Sequence, residues 1–214
     1  MKVDIWSDIR CPFCYIGKRK FEQALEQFEN REDVVVTWHS FQLDANLKTQ
    51  PEVDLIDYFT KAKGISREQA HQMFSRAKEM AAETGLEFNM DSLIVANSYK
   101  SHQLLQFAKS KGLGDEIKEA LFEAHFTEGK NIDDRESLIQ IAAGIGLDKK
   151  ETEEVLDSEK FAYQVKQDEM EARNIGVQGV PFFVFNNKYA VSGAQAPESF
   201  LEVLEKSWKE ETAL

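Results

Sequence analysis

The apolar positions of the chain follow two periodicities, and the changes between them mark three stretches. Residues 3–6 alternate apolar and polar side chains, which is typical of a half-buried strand. Apolar residues at helical spacing follow, at Phe21, Ala24, Leu25 and Phe28. Residues 34–41 are rich in β-branched and aromatic side chains, which favours a second strand. Because a crossover between neighbouring strands is right-handed and returns parallel, this order predicts a β-α-β unit.

The middle of the chain, from residue 51 to about residue 174, has helical periodicity. Ser66 with Gln69 has the spacing of a capping box, and so does Asp148 with Glu151. Glycines that can end helices separate the apolar runs. The predicted helices cover residues 66–84, 98–111, 116–128, 136–145, 148–156 and 159–174.

Strand character returns near the carboxyl end. Residues 180–185 have the composition of a buried strand, and residues 189–192 can pair back antiparallel after a turn at 186–188. An amphipathic helix over 198–209 begins after Pro197. We therefore predict an α/β fold in which residues 1–50 and 175–214 form one discontinuous domain. Residues 51–174 form an all-helical domain inserted into it.

The composition of the chain restricts its partners. Its 214 residues include 42% hydrophobic side chains, which is enough for a packed core, and the formal net charge is −12. Because such a charge repels nucleic acid and anionic membranes, we expect neither as a partner. No window reaches the ~20 apolar residues of a membrane span, and no signal peptide is visible, so we expect a cytoplasmic protein.

Candidate chemistry lies in the two cysteines, Cys11 and Cys14, which follow the first predicted strand and begin the first predicted helix. A helix N-terminus has unpaired N–H groups and a positive dipole end, and both favour the thiolate, the reactive form of cysteine. Pro12 suits the first helical turn, where no N–H is needed. Cys11 would lie at the N-cap as the nucleophile, and Cys14, about one turn inside, would be the resolving thiol.

Other uses of a C-x-x-C pair fit the sequence less well. A structural zinc site needs four ligands, but there is no second cysteine pair and the four histidines lack the spacing of a zinc motif. A haem attachment site needs histidine where Tyr15 stands. A purely structural disulfide within one helical turn would close almost no loop and so add little stability. We therefore expect no metal, and a reversible dithiol that requires no cofactor.

A second candidate feature is Pro181, which precedes the strongly apolar strand near the carboxyl end. A trans proline there would remove a donor from the sheet, and Gly179-Val180-Pro181 has the composition of a tight turn. A cis Val180–Pro181 bond would suit such a turn, although most X–Pro bonds are trans. The residues by themselves leave the isomer open.

Three motifs together resemble the DsbA-like branch of the thioredoxin superfamily, and more closely its FrnE-type members. Residues 7–18, SDIRCPFCYIGK, are similar to the family pattern S-D-x-x-C-P-W-C-Y-I-G-K. Residues 97–105, NSYKSHQLL, resemble N-T-x-x-A-H-x-L-L, and residues 176–183, GVQGVPFF, resemble G-V-x-G-V-P-x-F. The matches extend along nearly the whole chain, so the resemblance implies a thioredoxin-like fold with a large helical insertion.

The resemblance also implies roles for individual residues. Cys11 would be a solvent-facing nucleophile, and Cys14 would resolve the mixed disulfide. Pro181 would be cis and would lie opposite the cysteines. The backbone of Val180 would then be left to pair with a substrate peptide or with glutathione.

Residues next to the cysteines complete the expected substrate site. Pro12 and Phe13 lie between the two thiols and would contact the substrate. Phe13 stands where DsbA has histidine, so we expect a weaker oxidant than DsbA. Arg10 is a cation that would favour the thiolate or bind a carboxylate of glutathione. Asp8 would be either a proton acceptor for the second thiol or a loop carboxylate.

We predict a thiol–disulfide oxidoreductase that acts on protein or small-molecule thiols and disulfides, with glutathione as an optional co-substrate. The alternative is a glutathione-dependent isomerase or transferase of the 2-hydroxychromene-2-carboxylate isomerase or kappa type, whose members usually have serine at the first cysteine position. The paired cysteines favour the oxidoreductase, because a transferase needs no resolving thiol. A non-catalytic peptide binder would leave both thiols without a use. The sequence leaves the substrate and the oligomeric state open, a homodimer included.

Overall fold

The computed structural model describes residues 1–212 and divides into two compact units. The first unit contains Met1–Leu43 and the chain from Val165 onward. Its sheet has the strand order β2-β1-β3-β4, with β1 at Lys2–Ser7, β2 at Val35–Ser40, β3 at Phe182–Phe185 and β4 at Tyr189–Ser192. β1 pairs parallel with β2 and antiparallel with β3, and β3 pairs antiparallel with β4. The predicted β-α-β unit and the predicted hairpin are both confirmed.

Aromatic rings form much of the core of this first unit. Helices α1 (Pro12–Gln27) and α9 (Pro197–Thr212) contribute Phe21 and Phe200, and β3 contributes Phe183. The ring centroids of Phe183 and Phe200 are 4.6 Å apart, and those of Phe21 and Phe183 are 5.6 Å apart. All three side chains are at most 2% exposed, so α1 and α9 are held to the sheet by burial of large apolar surface.

The second unit, Asp44–Gln164, is built from helices. These are α2 (Leu55–Lys63), α3 (Arg67–Ala82), α4 (Tyr99–Ser110), α5 (Gly114–Phe126), α6 (Arg135–Gly144), α7 (Lys149–Asp157) and the first residues of α8 (Ala162–Asn174). Ser66 and Gln69 form the predicted reciprocal capping box, and the carboxylate of Asp148 accepts the N–H of Glu151 at 2.8 Å. The sequence pattern located every α-helix of this unit except α2, and it did not locate the short 3₁₀ helix at Met90–Ser92. Within residues 1–212, no helix combines the length and the apolar character that crossing a bilayer requires.

The compact units divide at different positions from the limits that the sequence suggested. The structure changes from one unit to the other after residues 43 and 164, rather than after residues 50 and 174. Residues 165–174 of α8 lie with the sheet because Asp168 and Ala172 are buried against it, and the indole N–H of Trp6 donates to the Asp168 carbonyl at 3.0 Å. Helical periodicity identified α8 correctly, but periodicity does not say which layer a helix packs on.

Candidate dithiol site

The two cysteines lie at the start of α1, the helix that follows β1. Cys11 is the N-cap residue of that helix, with extended backbone angles of φ −89° and ψ 112°, and its side chain makes no capping hydrogen bond. Pro12 occupies the first helical turn, and the N–H of Cys14 donates to the Cys11 carbonyl at 3.0 Å. Both cysteines are free thiols. The N–H groups at the start of α1 are therefore not occupied by a capping side-chain oxygen at the position of Cys11.

The exposure expected for Cys11 is wrong. The residue is 5% exposed and Cys14 is completely buried, whereas the resemblance implied a solvent-facing first cysteine. The reason lies in the chain before β3, because the Cys11 thiol donates to the carbonyl of Val180 across 3.6 Å. The Val180 carbonyl is thus the backbone group next to the Cys11 sulfur.

The Val180–Pro181 bond is cis, as the resemblance implied. Pro181 is buried, and its carbonyl accepts the N–H of Gly193 at 2.8 Å, which anchors the turn to the end of β4. Val180 is half-buried, and within residues 1–212 its only hydrogen bond is the one from the Cys11 thiol. The N–H of Val180 is thus available for a hydrogen bond with a substrate.

Gly17 allows the proline to approach the helix, and sequence reasoning did not single it out. A Cβ atom at this position would lie 2.8 Å from Cγ of Pro181 and 3.5 Å from the ring of Phe183. A glycine in a helix interior costs about 0.5–1 kcal/mol relative to alanine, so its presence one turn after Cys14 was a signal of close backbone approach. Residues more than 160 positions apart in the sequence therefore meet at the dithiol.

Asp8 holds the turn that presents Cys11. It is completely buried, its carboxylate accepts the N–H groups of Arg10 at 3.3 Å and of Leu43 at 2.8 Å, and its carbonyl accepts the N–H of Cys11 at 3.1 Å. Backbone N–H donors satisfy a buried carboxylate and fix the chain around it. These contacts fit the second of the two expected roles, that of a loop carboxylate.

Three further predicted residues lie around the thiols. Pro12 and Phe13 are half-buried in the first turn of α1, between the two cysteines. Arg10 is half-buried beside Cys11, and its guanidinium forms no ion pair with any residue among the 212 described. Arg10, the residue before Cys11, is therefore a cation whose charge is not neutralised by a carboxylate of the described residues.

A charged network lies on β1, β2 and α8. The ring nitrogens of His39 are each 2.8 Å from a carboxylate oxygen, Nδ1 from Asp168 and Nε2 from Asp4. Burial by itself would raise the pKa of Asp4, but hydrogen bonds from His39 and Lys2 outweigh it and lower this pKa below its usual range. Side-chain ligand atoms of His39, Asp168 and Glu171 lie within 4.8 Å of one another, as in a metal site. Because both ring nitrogens already face carboxylates, we interpret the group as an ion-pair network.

Comparison with known sequences matches residues 2–205 to the family described as the DSBA-like thioredoxin domain. The chain belongs to the DsbA-like thioredoxin-domain family. The predicted fold class is thereby confirmed, since a thioredoxin-like sheet with an inserted helical region is the DsbA-like architecture. The family is one of oxidoreductases, and the Cys11–Cys14 pair is the C-x-x-C motif of this member.

Individual DsbA-like relatives extend this result. A probable DsbA oxidoreductase from Streptomyces coelicolor has 37% sequence identity, covers 98% of this chain and 91% of its own, and superposes with a TM-score of 0.93. The uncharacterized protein YwbO of Bacillus subtilis is 25% identical over 97% of both chains. A 2-hydroxychromene-2-carboxylate isomerase shares the fold at 17% identity and a TM-score of 0.69, with 99% of this chain and 96% of its own covered.

Proposed function

We propose that this DsbA-like protein is a thiol–disulfide oxidoreductase of the FrnE type, in which Cys11 and Cys14 alternate between dithiol and disulfide. The observation that carries the proposal is the position of Cys11. Its sulfur lies at an N-terminus of α1 that no side chain caps, and it contacts the carbonyl of Val180 at 3.6 Å. The helix terminus favours the nucleophile, and the adjacent backbone gives a substrate main chain something to bind.

Reduction of a substrate disulfide would proceed in two exchanges. The Cys11 thiolate attacks one substrate sulfur, so that a Cys11–substrate disulfide forms and the other substrate sulfur leaves as a thiolate. Cys14 then loses its proton and attacks the Cys11 sulfur, which forms the Cys11–Cys14 disulfide and releases the second substrate thiolate. Two electrons pass from the dithiol to the substrate, whose two sulfurs take up the two protons. The reverse sequence oxidises a substrate dithiol, and neither direction requires a cofactor.

The residues around the thiols would bind the substrate chain next to its disulfide. The N–H and C=O of Val180 can form one rung of strand pairing with a peptide or with glutathione, which tolerates different side chains because it uses the main chain. Pro12, Phe13 and Pro181 would supply apolar surface near the thiols. Arg10 can bind a carboxylate, such as those of glutathione. Protein or small-molecule thiols and disulfides are accordingly the proposed partners.

The test compares the wild type with Cys11→Ser and Cys14→Ser in the reduction of insulin disulfides. Cys11→Ser should abolish the reaction, because oxygen does not replace the attacking sulfur. Cys14→Ser should accumulate a Cys11–substrate mixed disulfide that mass spectrometry detects, because the resolving thiol is missing. Disulfide reduction that survives the loss of Cys11 would show that the proposed mechanism is wrong.

A glutathione-dependent isomerase or transferase is the second candidate, and the unpaired guanidinium of Arg10 beside Cys11 favours it. In this case a bound glutathione would supply the nucleophile and Cys14 would be dispensable. Isomerisation of 2-hydroxychromene-2-carboxylate, or conjugation of glutathione to an electrophile, would then continue in the Cys14→Ser protein. Loss of both reactions in the wild type, with insulin reduction intact, would leave the oxidoreductase as the function.

A further inference from the structure

The histidine of the charged network is held in its protonated form by geometry. An ionised carboxylate can only accept a hydrogen bond, so when both acids are ionised both ring nitrogens of His39 donate, Nδ1–H to Asp168 and Nε2–H to Asp4, each at 2.8 Å. His39 is 8% exposed, and the two carboxylate residues are 8% and 3% exposed. A neutral imidazole here would place a lone pair against a buried carboxylate, which costs free energy in a medium of low dielectric constant.

This imidazolium joins β2 and β1 to α8. Asp168 also accepts the backbone N–H of Ser40 at 2.7 Å through its second carboxylate oxygen, so α8 is tied to β2 at two points. The indole of Trp6 stacks on His39, with ring centroids 4.4 Å apart and an interplanar angle of 14°, and its N–H donates to the Asp168 carbonyl. One turn of α8 is therefore fixed by an ion pair and two hydrogen bonds, and two of the residues that make these contacts, His39 and Trp6, stack on each other.

From this turn of α8 the contacts continue to the dithiol. Trp6, Ala172 and Val177 form a buried cluster, against which the side chain of Val180 packs. The N–H of Val177 donates to the Ala172 carbonyl at 2.8 Å and fixes the chain as it leaves α8. Val180 then meets the Cys11 thiol at 3.6 Å. The position of Val180 relative to Cys11 is thus set by the cluster, and the cluster rests on the turn that His39 anchors.

We propose that the imidazolium of His39 is a positioning group that keeps Val180 in place beside Cys11, and that thiol–disulfide exchange slows when His39 loses its proton. This inference rests on the proposed exchange reaction. His39 itself touches neither substrate nor the reacting sulfurs. Its effect is transmitted through Asp168, Trp6 and the cluster that supports Val180.

The groups around His39 predict where the change occurs. Asp4 on β1 and Asp168 on α8 face the ring directly, Lys2 pairs with Asp4 at 3.0 Å, and the exposed Glu171 lies next to Asp168 on α8. Three carboxylates and one ammonium leave an excess of negative charge around the ring, which favours its protonated form. The two carboxylates that face the ring therefore stabilise the proton on His39, and the site is assembled while that proton is present.

The experiment measures exchange rates of the wild type and His39→Gln between about pH 6 and about pH 10, a range that spans the titration of imidazole and beyond. Glutamine is uncharged throughout and can donate to only one of the two carboxylates. At neutral pH the variant should exchange about tenfold more slowly, since displacement of a positioning group by about 1 Å costs one to two orders of magnitude. The ratio of the two rates should approach one as the wild type loses the His39 proton.

A matched control is His71→Gln, which removes an exposed histidine from α3 and should leave the pH profile unchanged. A ratio between wild type and His39→Gln that stays the same at every pH would overturn the proposal. Nuclear magnetic resonance of the wild type gives a second measurement that needs neither the variant nor an active enzyme. The resonances of the His39 ring and of the Val180 amide should shift over the same pH range. A Val180 resonance that does not change as His39 titrates would also overturn the proposal.

The two hypotheses remain separable in this design. A wild type that exchanges no disulfide, but whose His39 and Val180 signals titrate together, would contradict the proposed function and leave the positioning intact. Exchange that depends on Cys11 but is indifferent to the state of His39 would contradict only the positioning.

Discussion

Helix α1 of the sheet unit begins differently from four helices of the helical unit, where α4 and α5 also lack a side-chain cap, and the difference concerns the dithiol. In the unit Asp44–Gln164, four helices begin with a side-chain cap in which an oxygen accepts a backbone N–H: Asp54, Ser66, Asp134 and Asp148. Each of these helices also has an acidic residue in its first turn. Helix α1 has neither, because its N-cap is Cys11 without a capping hydrogen bond and its first turn contains no acid.

This contrast indicates which stabilising interactions α1 lacks at the position of the dithiol. A side-chain cap contributes about 1 kcal/mol, and an acid in the first turn adds to it through the helix dipole. An acid at the same place would repel a thiolate at Cys11, and a capping oxygen would occupy the N–H groups that favour it. The stability of α1 must therefore come from packing, for which Cys14, Ile16, Phe21 and Ala24 are buried.

The largest effect on stability and activity is expected at Gly17, where α1 packs against Pro181 next to the dithiol. Gly17→Ala places a Cβ 2.8 Å from Cγ of the buried Pro181, a contact that cannot persist without a shift of the turn before β3. We expect a loss of about 1–3 kcal/mol in the free energy of unfolding, as for other overpacked cores. Exchange of insulin disulfides should fall as well, because Val180 moves with the proline. Urea unfolding and the exchange assay measure the two effects.

Gly144→Ala is the matched control for this substitution. Gly144 is the last residue of α6, and a Cβ there would meet no atom within 4 Å. Alanine should be neutral or stabilise this helix by up to about 1 kcal/mol, with exchange unchanged. Equal changes in the stability of the two variants would mean that Gly17 is not needed for the close approach of Pro181 to α1.

A second prediction concerns the residue between the cysteines. Phe13→His introduces a donor that can stabilise the Cys11 thiolate, so the reduced form gains and the site becomes more oxidising. We expect the reduction potential to rise by at least about 30 mV, which is about 1.4 kcal/mol for a two-electron couple. Equilibration with glutathione redox buffers measures it. Phe13→Leu, which adds no donor, should leave the potential near that of the wild type.

A third prediction concerns the N-caps of α1 and α6, one of which is added and the other removed by substitution. Cys11→Ser places a good N-cap residue on a backbone that already has extended angles, and should raise the free energy of unfolding by about 1 kcal/mol while abolishing exchange. Asp134→Ala removes a cap in the helical unit and should lower it by about 1 kcal/mol while exchange persists. Thermal unfolding of both variants beside the exchange assay checks the pair. A destabilised Cys11→Ser protein would contradict the idea that α1 forgoes a cap for the thiolate.

The same contrast explains how much of the fold the sequence predicts. Capping signals lie within four residues of each other, so Ser66 and Asp148 identified helices α3 and α7 without knowledge of the tertiary structure. Helix α2 was not located individually, and it contains no buried residue that would give it a strong apolar periodicity. The layer on which α8 packs was also missed, since it depends on contacts with β1 and β2.

The site divides in the same way. Cys11, Cys14 and the proline before β3 are visible as motifs, and their chemistry follows from residue type. The approach of Pro181 to Gly17 and the contacts of His39 with two carboxylates depend on which residues the sheet brings together across 35 to 164 positions, so no local pattern contains them. Nothing in the local sequence therefore distinguishes His39 from an ordinary core residue.

The smallest predicted effect separates the two units by their response to acid. The pKa of Asp4 is lowered in the folded protein by its hydrogen bonds to His39 and Lys2, against the opposing effect of burial, from an ordinary value of 3.8. A carboxyl whose pKa falls on folding stabilises the protein at pH values above its unfolded pKa, and this contribution is lost as the pH falls through the folded value. The free energy that Asp4 contributes should therefore be constant near neutral pH and decline below about pH 4.

Asp4→Asn tests this in the first unit, and Asp134→Asn is its counterpart in the second, where the backbone N–H of Ser137 lowers the pKa of an exposed carboxyl. Unfolding by urea between about pH 3 and about pH 6 should show each variant approaching the wild type as the carboxylate becomes protonated. The convergence should be the larger for Asp4, because its partner His39 is buried, whereas Asp134 is exposed to solvent, which weakens its interactions. Equal convergence for the two variants would mean that the network around His39 stabilises the sheet no more than an ordinary helix cap stabilises a helix.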